Sequence, residues 1–319
     1  MRYYDISITN PAGGNIIRQW TTHPNGQFDP GSLNVKMDLL VTAFDEPAGA
    51  SSVTIEGIAL ADLMQAKQFT GMNLFIKGGM KAGLPLANPA QSGLLMQASV
   101  FQAFGNWVGT DMTLDFVAMA SAFTYAKPGN IVLNWPAGTP LADALAQTLS
   151  RAYPGVKQTI QISPALVLPH TETGYYHTLE QLAQDIKSIT EGMFNADYPG
   201  VSITLQGGLF YVYDGTVTPK TTAIQFTDFV GQPTWVNPDI MQMKTVMRAD
   251  LQIGTIVTMP PGLQSAPGVV TTTAASQPSF FKYRTTFQGK FRIIGIRHIG
   301  ESRAPDGNAW VSIFNCVPA

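Results

Sequence analysis

The chain has 319 residues, more than a single hydrophobic core of about 250–300 residues usually serves, so two or three domains are expected. Charged residues make up only 13% of it against 45% hydrophobic, and the formal net charge is −2, which excludes a bulk field that would gather nucleic acid or an anionic membrane. So few charges point to a surface largely covered by other subunits, and one cysteine, Cys316, excludes an internal disulfide and fits a reducing compartment.

The N-terminus (MRYYDISITN) turns polar and strand-like at once, so no targeting segment is expected. Tyr3 to Thr9 and Ile16 to Thr21 read as strands separated by Pro11, Gly13 and Gly14. Leu33 to Phe44 and Val53 to Ile58 read as two more. Between Ile58 and Phe69 the period changes: Leu60, Leu63 and Met64 fall three and four apart, predicting a short helix with these residues on a sheet and Lys67 in water. Alternation returns in Met72 to Lys77 and from Leu94 to Phe104. The apolar run Phe116 to Phe123 is far shorter than the roughly 20 residues of a spanning helix, so no membrane insertion is expected. Such regular short strands favour a β-barrel, ending near Lys127-Pro128-Gly129.

The middle of the chain changes character. Thr139 is placed to cap a helix with Pro140 at its first position and a Leu141, Leu145, Leu149 stripe, stopped by Tyr153-Pro154-Gly155. A second helix is predicted from Thr178, with Gln181 completing a capping box, Leu179, Leu182, Ile186 and Ile189 buried, and Gly192 at its end. Val201 to Leu205 and Leu209 to Tyr213 then form a hairpin through Gln206-Gly207-Gly208. From Ile224 the β pattern resumes, with strands expected at Val246 to Leu251 and Gly254 to Met259. Pro260 to Ser279 is a long Pro, Gly, Ser and Thr segment, read either as ordering against a neighbour in the assembly or as plain surface disorder.

The second β region echoes the first. Gly71 to Lys77 matches Gly254 to Pro260 as a glycine-led strand; Gly93 and Gly105 match Gly289 and Gly300; Trp107 matches Trp310. That self-similarity suggests one unit present twice, the alternative being glycine turns that any two antiparallel β domains share. The segments IEGIALADLMQA, GMNLFIKGGM and LMQASVFQAFGNWVGTDMTLDF resemble the N-terminal tube-type barrel of baseplate hub proteins of contractile-tailed bacteriophages. FTDFVGQPTWVNPDIMQMKTVMRADLQIGTIVTMP and FQGKFRIIGIRHIGESRAPDGNAWVSIF resemble the second barrel of the same family. The resemblance implies a mainly β fold with an α+β insert: a first barrel at 1–126, an α+β domain at 127–217 and a second barrel at 218–319. It also implies a homotrimer whose six barrels form a ring in the virion's tail baseplate, made in the host cytoplasm. Implied partners are the tail spike or puncturing protein, the tail tube protein, baseplate wedge proteins and the tape measure protein, with DNA only as passing cargo. Interface residues expected on this reading are Pro261, Val269, Val270 and Phe280 in the long segment, and Lys290 and Arg292 on one face of a strand.

Chemistry is sparse. There is no G-x-S-x-G elbow, no H-E-x-x-H, no phosphate loop and no cysteine pair, so no catalytic residue, metal or cofactor is expected. His170 and His177 supply two of the about four ligands zinc takes. His298, Glu301 and Asp306 at a strand end, and the pairs Glu172 with Glu191 and Asp111 with Asp115, read as ordinary polar residues. Lys282, Arg284, Lys290, Arg292, Arg297 and Arg303 give a local positive excess, read as the solvated side of a sheet. The competing readings are a tail-associated cell-wall hydrolase using Glu172 or Glu191, and a glycan-binding module presenting Tyr175 and Tyr176.

Overall fold

The computed structural model describes residues 1–319 except 12–13, 46–49, 82–87, 121–129, 207–208, 218–220, 238 and 262–286. The protein is mainly β, with two tube-type β-barrel units flanking a small α+β module. The first unit holds β1 (Arg2–Thr9), β2 (Ile16–Thr21), β3 (Asn34–Val41), β4 (Ser51–Glu56), α1 (Leu60–Met64), β5 (Asn73–Met80), β6 (Gly93–Val108) and β7 (Asp111–Ala120). The middle module holds β8 (Ile131–Trp135), α2 (Leu141–Ala152), β9 (Lys157–Gln161), β10 (Glu172–Tyr176), α3 (Leu179–Thr190), β11 (Ser202–Gln206) and β12 (Leu209–Tyr213). The second unit holds β13 (Thr222–Ala223), β14 (Thr234–Trp235), β15 (Met241–Val246), β16 (Ile256–Thr258), β17 (Lys290–Glu301) and β18 (Trp310–Pro318).

Both β units lie in one continuous sheet, ordered β14-β15-β18-β17-β3-β4-β7-β6-β5-β1-β2, with β16 on the far side of β17 and β13 beside β16. The first unit therefore runs β1-β5-β6-β7-β4-β3 and the second β13-β16-β17-β18-β15-β14, the same order, although β1 lies antiparallel to β5 and β13 parallel to β16, and β2 has no counterpart among the described residues. Hydrogen bonds fix the correspondence. The Gly71 N–H donates to the Val100 carbonyl and the Gly254 N–H to the Ile293 carbonyl, each at 2.8 Å. The Val100 N–H returns to the Met72 carbonyl at 2.9 Å and the Ile293 N–H to the Thr255 carbonyl at 3.0 Å. One residue later each long strand carries a bulge, at Phe101 and at Ile294. Both leading glycines need a positive φ, 80° and 82°, which a side chain would strain.

Counted from the bulge, Trp107 (opposite Met112) corresponds to Gly300 (opposite Trp310). The expected matches of Gly105 with Gly300 and Trp107 with Trp310 are therefore corrected. Only the Gly71–Gly254 match coincides with the ladder. Gly300 is small because Trp310, Met37 and Met247 crowd the space a Cβ would need.

Three apolar cores form among the described residues. The first includes Tyr4, Ile6, Val35, Leu74, Ile76 and Phe116, and also takes Met247 and Trp310 from the far end of the chain. The middle core packs β8, α2 and α3 on β11 and β12, and Phe44 joins it from the segment after β3. The third, around Trp235, Phe287, Phe291 and Phe314, takes Val41 from β3. Burial on this scale, at roughly 25 cal/mol per Å2 of apolar surface, is the main force holding the units together.

Several local expectations are corrected. In α1 only Leu63 packs on the core. Leu60 and Met64 are exposed, and Ala66 and Phe69 in the following 3-10 turn are buried instead, because α1 lasts only five residues. No side-chain cap precedes α2: Pro140 is the residue before the helix, and Thr139 uses its carbonyl to accept from Trp135 Nε1 at 2.7 Å. Thr178 does cap α3, but the Gln181 side chain accepts from the N–H of His177 rather than that of Thr178. Of the strand expected at Val246 to Leu251 only Val246 is extended, as the last residue of β15; residues 247–251 turn away, held by Arg248 between Asp228 and Asp250 at 2.9 and 2.6 Å. The proposed boundary at Lys127-Pro128-Gly129 lies outside the described residues.

Candidate assembly interface

Four side chains clustered at one end of the first unit are apolar and turned to solvent. Met64 in α1 is 77% exposed, and Trp107 and Val108 at the tip of the β6–β7 hairpin are 63% and 75% exposed, with Phe104 in β6 also exposed. The hairpin and α1 belong together: a Cβ on Gly105 would meet Leu63 at 2.6 Å, so only glycine lets the helix lie this close. Arg18 on β2 reaches Asp62 in α1 at 2.7 Å, which brings the exposed Ile16 and Ile17 to the same end. The stretch 82–110, which contains all of β6, has no charged residue. Trp107 shares the face on which Gly105 meets Leu63, and Phe104 and Val108 share the other, so the hairpin tip exposes apolar side chains on both faces, as an interaction surface does.

The backbone of β6 is open beside that patch. Its ladder with β5 stops at Ser99, so from Gln102 to Val108 it pairs with β7 alone among the described residues. The equivalent stretch of β17 has the same side filled: β3 pairs with it from Ile296 opposite Val41 to Glu301 opposite Lys36. That intramolecular joint is strengthened by Arg297, which forks onto Asp38 with Nη2 at 2.5 Å, and by Lys36, 3.8 Å from Glu301. Arg2 donates to the carbonyls of Glu301, Ala304 and Asp306, and Arg303 to those of Pro30 and Ser32, pinning the β17–β18 turn to the first unit. An unpaired strand edge is a template for another strand.

The residues singled out for chemistry are dispersed. His298 is buried, its Nδ1 2.8 Å from Ser312 Oγ, and burial lowers its pKa to about 3, so it is a neutral core residue. Glu301 faces Lys36, and Asp306 caps the turn through the N–H of Asn308, which holds its carboxyl below the usual range. His170 lies 3.6 Å from Glu172 on the exposed side of β10, while His177 stacks edge-on with Tyr175. Asp115 accepts from Thr54, Asn106 and Thr113, a structural role on the hairpin. Among the described residues no group of three or more His, Cys, Asp or Glu could hold a metal ion, and no helix is long and apolar enough to cross a membrane. Cys316 is buried, which pushes its thiol pKa up.

Of the expected interface residues, Pro261 and Lys290 are exposed, and Arg292 is turned onto the middle module, donating to the Gly215 carbonyl at 3.3 Å. Val269, Val270 and Phe280 lie outside the described residues, as do Lys282 and Arg284. Tyr176 is buried and bonds Asp185, so of the two tyrosines considered for glycan stacking only Tyr175 is presented to solvent. The open edge of β6 is absent from the sequence reading. Its signal there is the charge-free run from 82 to 110.

No family model and no curated protein matches the chain. Solved structures do. The 43 kDa tail protein of prophage MuSo2 from Shewanella oneidensis aligns over 100% of this chain and 97% of its own, with a TM-score of 0.55 at 9% identity. The E. coli c3393 protein is a type VI secretion component described as structurally similar to the T4 tail proteins gp27 and gp5. It covers 90% of this chain and 73% of its own, with a TM-score of 0.52 at 8% identity. A PdpA–VgrG complex gives 0.50 at 8% identity, over 100% of this chain and 66% of that one. The fold is thus one found among phage tail proteins and related type VI secretion components.

Proposed function

We propose that this protein is a structural virion component, a trimeric baseplate hub that adapts a three-fold spike to a six-fold tail tube. The observation that carries the reading is the repetition of one strand order twice within a single sheet. Three copies related by a closed three-fold rotation present six near-equivalent β units to the first tube ring and remain three-fold toward the spike. The proposed domains are 1–126, 127–217 and 218–319, with the α+β module set between the two barrels. The spike or puncturing protein, tube protein, wedge proteins and tape measure protein are its proposed neighbours, with DNA passing through the channel. The role is geometric, with no reaction assigned to it. The likeness in fold to tail and type VI secretion proteins supports this placement. Sedimentation equilibrium tests it: three copies of 34.4 kDa, about 103 kDa, are expected, and a monomer at every concentration contradicts it.

A further inference from the structure

We propose that the open edge of β6, from Ala103 to Val108, receives the second β unit of another copy of this chain through β14. The inference rests on the six-unit ring and assigns its copy-to-copy joint. In such a ring the contact from the first unit to the second, made within one chain, recurs as a contact from the second unit to the first unit of the next copy. The contact within the chain is known in register, β3 along β17.

Its counterpart follows from the ladders. β4 corresponds to β15, because the Gly57 N–H donates to the Met112 carbonyl as the Met247 N–H donates to that of Trp310. Asp38 of β3 faces Ser52, and Thr234 of β14 faces Gln242. Ser52 and Gln242 in turn face Val117 and Asn315, which oppose the first residue after each bulge. β14 is therefore the second unit's version of β3, and the terminal strand of the sheet as described. Transferring the register sets Asn106 opposite Thr234, Gly105 opposite Trp235 and Phe104 opposite Val236 of the next copy.

Charge argues for this occupant. Within the chain, Arg297 and Glu301 of β17 meet Asp38 and Lys36 of β3. The positions of β6 equivalent to Arg297 and Glu301 are Phe104 and Val108, both apolar and exposed. A charged strand such as β3 would leave its charges unpaired there, whereas the stretch 229–237, FVGQPTWVN, is uncharged. The two joints share a geometry and differ in chemistry, so the edge of β6 selects β14 over a second β3.

The test mixes two single variants, N106C and T234C, under mild oxidation and follows the same sample by sedimentation. Paired antiparallel residues sit about 4.5–5.5 Å apart at Cα, within disulfide reach. A disulfide between copies is expected in the mixture and in neither variant alone. A trimeric mixture that forms no disulfide overturns the joint and leaves the hub reading standing; a mixture that stays monomeric overturns both. As a second arm, V108K changes a surface side chain and leaves the fold intact, but places an unpaired charge in the joint, so trimer formation should weaken by at least about tenfold. Undiminished assembly of V108K, or a trimer that 1 M salt dissociates, contradicts an uncharged joint.

Discussion

Replacing Trp310 with alanine should unfold more than the strand that carries it. Its side chain is 2% exposed and belongs to the core of the first unit, although it lies more than 200 positions from most residues it packs with. Removing a buried tryptophan costs about 3–5 kcal/mol when the cavity does not collapse. Trp310 Nε1 also donates to the Gly79 carbonyl at 2.9 Å, and leaving that buried acceptor without a partner adds about 1 kcal/mol. A loss of about 4–6 kcal/mol is a large part of the 5–15 kcal/mol typical of a folded protein. W310F keeps most of the volume and loses the bond, so about half that cost is expected. Urea titration of W310A, read by circular dichroism and by the assigned 19F resonance of Trp20 in protein labelled with 5-fluorotryptophan, checks this, since Trp20 sits in the first unit against Phe69 and Phe116. Both signals should shift to lower urea together. A W310A protein within 1 kcal/mol of the parent, or one whose Trp20 transition stays in place, would refute the shared core.

Three further outcomes are expected. His298 is neutral in the fold because burial lowers its pKa to about 3, while the unfolded chain protonates it near 6.5. Stability due to this group is present above pH 6.5 and is lost as pH falls toward 3, by about 1.4 kcal/mol per pH unit. Unfolding titrations at pH 6, 5 and 4 should be steeper in pH for the parent than for H298L, and equal slopes would count against it. G254A should cost about 1–3 kcal/mol by chemical denaturation, since φ is 82° and the new Cβ would lie 2.7 Å from Tyr211 Cε1. Arg248, buried between Asp228 and Asp250, should cost about 2–3 kcal/mol when changed to leucine, which leaves Asp250 without its partner and Asp228 with only its bonds from Gln91 and the Gln225 N–H; melting temperature reports it, and D250N in the same background should recover part of the loss.

Much of the architecture is legible in the sequence because alternation, turn residues and helical stripes are local signals. The Leu141, Leu145, Leu149 stripe and the Thr178 cap mark α2 and α3, and β12 spans Leu209–Tyr213 as read. Three strands of the middle module, β8, β9 and β10, escape notice because each has only five residues; β9 and β10 also show little apolar alternation, whereas β8 alternates strictly in burial but is too short to stand out. The helical stripe at Leu60 and Met64 misleads, since apolar spacing says that a face is meant to be covered without saying by what. The repeat is legible at Gly71 and Gly254, where backbone geometry demands glycine in both units. It is misread at Trp107 and Trp310 because packing, not hydrogen-bond position, determines where a large side chain is used. The open edge of β6 is a property of pairing across the whole sheet; the charge-free run from 82 to 110 marks the strand as one to be covered without saying that its backbone is unpaired.

The central claim is that each chain supplies two equivalent β units to one ring. Electron cryomicroscopy of the purified assembly tests it most directly. The account predicts three-fold particles in which six β units surround a common channel, with the α+β modules repeating three times around it. Particles with one β unit per chain on the ring, or with the two units facing different channels, would contradict it.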